Sequence, residues 1–267
     1  MSATISASQV KELRAQTGAG MMDVKNALVE TNGDMDAAKR LLREKGMAQA
    51  GKRADRTTSE GIVLVTVSGG VGAIAAVGCE TEPVSKNDEF IRLAEQALES
   101  IEGEGPEALA KLEPARVEAV AKLGENISLR GARLEAQAGE LIADYVHPPA
   151  NKIGVLVKLK GGGPVLARQL AMHISWSAPA WVRREDVPAE VVASERDIYA
   201  STDEVASKPE QAREKIVEGM LNKRFFAASP GGVLVDQPWI HDPAKTVQQA
   251  LQEAGAEVLA FERFQLG

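Results

Sequence analysis

The 267-residue sequence predicts an α+β fold: an N-terminal three-helix bundle, then a core of two related α+β halves with small antiparallel sheets and a helical-hairpin insertion. Three observations predict it. Apolar residues at helical spacing fill the first 50 positions, interrupted by Gly18, Gly20 and Asn32-Gly33, which suit helix ends and sharp turns. The β-branched run Ile62–Val67 leads through Ser68-Gly69-Gly70 into a second apolar stretch and a long amphipathic pattern, and this order recurs from Ile153. Between Pro188 and Ala228, apolar residues fall seven and four apart on two arms.

In the bundle (1–50), Ser6 or Ser8 can cap a first helix that carries Val10 and Leu13 and stops near Gly18. Gly18 and Gly20 bracket a tight joint, and the second helix, about Met22 to Glu30, presents Met21, Met22, Val24 and Leu28 as apolar candidates. Asp34 caps a third helix with Ala37, Ala38, Leu41 and Leu42 at helical spacing and Gly46 as its stop. The spacing resembles a ubiquitin-associated-type bundle, and so small a module is marginal alone. A basic, polar linker follows at 51–59, where Lys52, Arg53 and Arg56 read either as a docking surface or as a solvated connector.

The first core half (60–140) holds strands over Ile62–Val67 and Val71–Gly78, a helix from about Pro83 to Ile101, short helices within Pro106–Leu123 and a strand over Ile127–Leu134. A further strand segment, Gly139–His147, spans the boundary to the second half (141–267). That half holds a strand over Ile153–Leu159, a helix over Pro164–Ser175 and a closing strand over Glu257–Phe264. Its insertion, about 188–228, reads as a hairpin of two roughly five-turn arms joined near Asp203–Ser207. Val191, Ile198 and Val205 form one apolar row, Val192 and Tyr199 another, and Ala212, Ile216 and Met220 a third on the second arm.

Composition narrows the function. Hydrophobic content of 44% and charged content of 26% are those of a globular chain, and 4% aromatics leave the core to Ala, Val, Leu and Ile. A net charge of −7 argues against a general nucleic-acid footprint but suits a basic patch on a protein partner. The single Cys79 excludes an internal disulfide and fits a reducing, cytoplasmic setting. No signal peptide is expected, and the apolar run Ala73–Val77 is far too short to span a bilayer.

No catalytic constellation is legible. Gly69-Gly70-Val71-Gly72 and Gly161-Gly162-Gly163 lead into no Gly-Lys-Ser/Thr, so both read as hairpin turns and direct nucleotide binding is not expected. His147, His173 and His241 stand apart without metal-ligand neighbours; Pro148-Pro149 favours a surface position for His147, and His173 shares a stripe with Leu166 and Leu170. Gly78–Asp88 reads as a strand-to-helix corner, with Thr81 or Glu82 as a cap, Pro83 in the first turn and Glu80 and Glu82 suited to a helix N-terminus. Such a corner is an ordinary connection or a working loop on its residues alone.

Leu13–Leu28 resembles the N-terminal signature of bacterial elongation factor Ts, and Val77–Asn87 resembles that family's second signature. The resemblance continues through Ile153–Val157, Leu170–Ile174, Glu195–Ile198, Lys215–Gly219 and Leu234–Pro238, covering essentially the whole chain in order. It implies a guanine-nucleotide exchange factor for elongation factor Tu, without enzyme chemistry or cofactor. Thr81, Glu82, Pro83 and Val84 would disturb the partner's Mg²⁺, and Arg14, Thr17, Gly18, Met21, Met22, His147 and His173 would contact the partner, GDP-bound or nucleotide-free. The usual tetrapeptide is Thr-Asp-Phe-Val, so Glu82 sets the carboxylate one methylene further out and Pro83 replaces an aromatic wedge with a rigid ring. The competing class is an adaptor or chaperone-like protein that recruits another partner through its three-helix module.

Overall fold

Alternation along one strand organises the core. In this computed structural model, which describes residues 5–267, β2 (Val71–Cys79) is flanked antiparallel by β1 (Glu60–Ser68) and β3 (Ser128–Glu135). Successive side chains of a strand point to opposite faces. Ala73, Ala75, Val77 and Cys79 accordingly pack with Phe90, Leu93, Ala94, Ala97 and Ile101 of α5 (Asp88–Glu104), while Ile74 and Ala76 turn the other way. There they meet Val63 and Leu156, the latter from a second antiparallel sheet of β4 (Glu140–Val146), β5 (Ile153–Lys160) and β8 (Glu257–Gln265). The opposite face of β5, through Val155, Val157 and Leu159, packs on α7 (Gly163–Ser177). The result is helix, sheet, sheet, helix, with β2 and β5 buried on both faces, an α+β architecture as expected.

The two sheets approach closely. A Cβ on Gly154 would lie 2.4 Å from Val63 Cγ1, and one on Gly72 would lie 2.8 Å from Ile142 Cγ2. Small residues thus set the sheet spacing, which agrees with the scarcity of aromatics.

The bundle comprises α1 (Ala7–Thr17), α2 (Met21–Glu30) and α3 (Met35–Arg53) around Leu13, Val24, Ala27, Leu28, Ala38 and Leu42. Ser6 and Gln9 form a capping box on α1, Gly18 closes it at φ 64°, and Asp34 caps α3 through Ala37 N–H. Gly46 does not stop α3. It lies inside the helix, where a Cβ would be 3.0 Å from that of Ala121, so its lack of a side chain lets α3 pack on α6 (Glu113–Leu123). The helix therefore runs into the segment expected as a linker.

Three further expectations are corrected. The helix expected from Pro83 to Ile101 is two: α4 (Glu82–Ser85) and α5 (Asp88–Glu104), separated because Asn87 is extended and caps α5 by accepting from Glu89 N–H at 2.9 Å. Gly161, Gly162 and Gly163, all with positive φ, form a strand-to-helix corner between β5 and α7, not a hairpin turn. The insertion's arms are shorter than five turns: α8 (Ala189–Ala200) and α10 (Glu210–Met220), the latter continued by a π-helical segment, Leu221–Phe226. The one-turn α9 (Asp203–Ala206) lies in the connection, and Ile198 faces solvent rather than the apolar seam. A 3-10 helix, Pro106–Leu112, precedes α6, and β6 (Pro238–Trp239), β7 (Asp242–Thr246) and α11 (Val247–Glu253) close the second half.

Candidate functional site

The exposed corner follows the buried end of β2. Cys79 is fully buried, its Sγ donates to Thr81 O at 3.3 Å, and burial above all pushes its thiol up to about 12. Beyond it the chain is held from the side. Glu125, in the loop after α6, accepts from the backbone N–H groups of Glu80 and Thr81 at 3.0 Å each and from the Thr81 hydroxyl at 2.5 Å. Glu80 in turn accepts from Asn126 N–H at 2.7 Å and pairs with Arg56 at 3.3 Å. Thr81 stands at the start of α4, but its hydroxyl is turned to Glu125 and does not cap the helix.

The following turn points outward. Thr81, Glu82 and Pro83 are exposed, and Val84 packs partly against the first-sheet core. Pro83 sits in the first turn of α4, where its missing N–H leaves no intrahelical bond unmade. Glu82 pairs with Lys86 at 2.7 Å, and the Lys86 hydrogen bond holds its carboxyl below the usual range. This pair is open to water and adds little stability, so Glu82 is an available anion rather than a structural one.

The predicted contact residues separate into places. Arg14, Thr17, Gly18, Met21 and Met22 gather at the joint between α1 and α2. Arg14 is exposed, the methionines are 59% and 61% exposed, and Thr17 donates to Leu13 O at 2.7 Å. Gly18 is roofed by the Lys122 methylenes, which a Cβ there would meet at 2.5 Å. His147 is exposed after β4, its Nδ1 3.1 Å from the Tyr145 hydroxyl.

His173 is a correction. Its side chain is wholly buried, so it offers no surface to a partner. The apolar stripe it shares on α7 carries it inward, where it stacks on Trp239 at 5.3 Å between ring centroids. Its Nε2–H donates to Gln237 Oε1 at 3.0 Å, and its Nδ1 accepts from Ile240 N–H at 3.4 Å. Gln237 is also buried and donates to Ala228 O at 2.7 Å and to Gly231 O, so this clasp ties α7 to the chain leaving the helical insertion. Burial, chiefly, pushes the imidazole from its ordinary 6.5 down to about 4, against the opposing Gln237 hydrogen bond. Sequence reasoning missed Glu125 and Asn126, whose only local signal is a loop after the left-handed Gly124.

Among the described residues no group of three or more His, Cys, Asp or Glu side chains could hold a metal ion, and no helix is long and apolar enough to cross a membrane. An exposed turn pinned onto an α+β core, with exposed methionines on a small helical module, equips a protein that acts by binding through its surface. The family model for Elongation factor TS matches residues 80–267. All of the chain aligns with 92% of Elongation factor Ts of Psychromonas ingrahamii at 42% identity over 277 residues. The relative of that name from Pasteurella multocida is 42% identical over 269 residues, covering 99% of this chain and 93% of its own. That from Methylococcus capsulatus is 41% identical over 279, covering 99% and 92%. The chain belongs to the elongation factor Ts family, whose members serve protein biosynthesis.

Proposed function

We propose that the chain binds elongation factor Tu and promotes release of GDP and its exchange for GTP, acting as a cytoplasmic exchange factor with no covalent step. The Thr81–Val84 turn carries the reading: it is fixed to the core at one end and exposed along Thr81, Glu82 and Pro83. Placed at the partner's nucleotide site, Glu82 brings a carboxylate oxygen of the kind that competes for Mg²⁺ and a negative charge that disfavours a diphosphate. Tighter binding to nucleotide-free Tu than to Tu·GDP must, by linkage, weaken GDP to the same degree. Met21 and Met22, with Arg14, Thr17 and Gly18, supply a docking surface of adaptable apolar side chains, and His147 adds a polar contact from the second half. The inserted phenyl group of the family's usual tetrapeptide is replaced here by the rigid Pro83 turn.

The test is GDP release from cognate Tu carrying a fluorescent nucleotide. Addition of the chain should accelerate release, with a rate that saturates in chain concentration. Release no faster than that of Tu alone would refute the exchange reading and leave an adaptor.

A further inference from the structure

Three backbones converge at the end of β2. They are the segment leaving α3, the exposed corner and the loop after α6, and one dipeptide of that loop holds the other two. Glu125 satisfies the N–H groups of Glu80 and Thr81 and the Thr81 hydroxyl. Asn126, 5% exposed, donates its side-chain amide to Ala54 O at 3.2 Å and Arg56 O at 2.8 Å, while its backbone N–H holds Glu80. One step away, Thr58 and Ser128 hydrogen-bond at 2.8 Å across Gly78. A Cβ on Gly78 would come within 2.6 Å of Ser128 Oγ and 2.7 Å of Thr58 Oγ1, so the crossing depends on glycine there.

The corner has little holding power of its own. Its helix is a single turn without a side-chain cap, and its Glu82–Lys86 pair is exposed. Glu125 supplies the acceptor its first two N–H groups share. That of Glu80 is half-buried, and such a donor left without an acceptor is costly, while that of Thr81 is exposed and is held in direction rather than rescued from burial. We infer that Glu125 is a positioning residue for the Thr81–Val84 turn, setting the direction in which Glu82 and Pro83 leave the core. Asn126 registers that direction to the end of α3. Docking of the bundle and delivery of the corner are then one rigid event rather than two. This role rests on the exchange reading above.

The experiment compares the full chain with Glu125→Ala and Glu125→Gln in GDP release from Tu, read as maximal rate and half-saturating concentration. The docking residues are untouched, so Glu125→Ala should lower the maximal rate about tenfold or more, as small misplacements do, while half-saturation changes little. Glu125→Gln keeps an oxygen acceptor for both N–H groups and an amide that can donate to the Thr81 hydroxyl, so it should recover most of the rate. A wild-type maximal rate in Glu125→Ala, a loss confined to half-saturation, or Glu125→Gln as slow as Glu125→Ala would overturn the assignment. Amide hydrogen exchange of the free chain supplies a readout independent of activity: Glu80 and Thr81 should lose protection in Glu125→Ala while α5 keeps it. Unchanged protection would refute the clamp. If the wild-type chain itself fails to speed GDP release, the exchange reading falls and the positioning role with it, whatever the amides show.

Discussion

Protonation of His173 should cost the fold a defined amount of stability on acidification. The ring is neutral in the folded chain because it is buried, and its Nδ1 already accepts from Ile240 N–H; a proton placed there would face that N–H. The unfolded chain binds a proton below about 6.5, the folded chain only below about 4. Across this window the unfolded state holds more protons, so stability is complete above about pH 6.5 and is lost as pH falls towards 4. Integrating between pH 7.5 and 4.5 gives a loss of roughly 2.5 kcal/mol from this one group. The assay is urea unfolding followed by far-ultraviolet circular dichroism at both pH values, for wild type and His173→Gln. The variant is less stable at neutral pH because the stack and hydrogen bonds are damaged, but it has no imidazole at position 173 to titrate, so groups common to both cancel in the difference. The wild type should lose roughly 2.5 kcal/mol more than the variant on acidification. Parallel losses, agreeing within about 0.5 kcal/mol, the usual precision of such comparisons, would refute the buried-neutral account.

Three other outcomes are expected. Glu82→Ala and Pro83→Ala should each slow GDP release from Tu several-fold, since one removes the exposed carboxylate and the other frees the turn; unchanged rates in both would remove the corner from the mechanism. Leu28→Ala, at a fully buried position of the bundle, should cost about 2–5 kcal/mol; in so small a module this should appear as lost amide protection in α2 and α3 while the two sheets stay protected. Cys79, buried and with its thiol pushed up to about 12, should react with a thiol-directed reagent only as the chain opens, so its rate should rise with urea and stay low in buffer.

How far the sequence could be read depended on the range of the forces involved. Strand β2 and its partner β1 were legible because an apolar run, Ser68-Gly69-Gly70 and a second apolar run are all local signals. The Leu13–Leu28 and Val77–Asn87 motifs were legible through their resemblance to a family. The sequence reads as one helix from Pro83 to Ile101, although Asn87 followed by Asp88 and Glu89 is itself a cap signal; Pro83 offers a nearer start, and only the short α4 begins there. Local propensity makes Gly46 a helix stop, whereas tertiary contact with Ala121 keeps it helical. The insertion's arms were overextended because a seven-residue spacing carries through Ser201–Thr202, where the structure interrupts the helix. The Glu125 clamp had no local signature, because its partners lie 44 and 45 positions away along the chain. His173 carried an apolar-stripe signal for burial, and that signal decides against the contact role implied by resemblance.

The stack of His173 on Trp239 also determines what light can report about this molecule. All three tryptophans, Trp176, Trp181 and Trp239, belong to the second half of the chain, and the bundle has none. Indole emission is therefore blind to α1–α3 and to the first sheet. Trp239 lies against two imidazoles, His173 at 5.3 Å and the exposed His241 at 4.8 Å between ring centroids, and a protonated imidazole quenches an adjacent indole, so its emission reports on both rings together. Denaturation curves recorded by emission and by helical ellipticity sample different parts of one chain. Superimposed curves would mark a single cooperative unit; an earlier ellipticity change would mark a bundle that melts while the tryptophan half still stands.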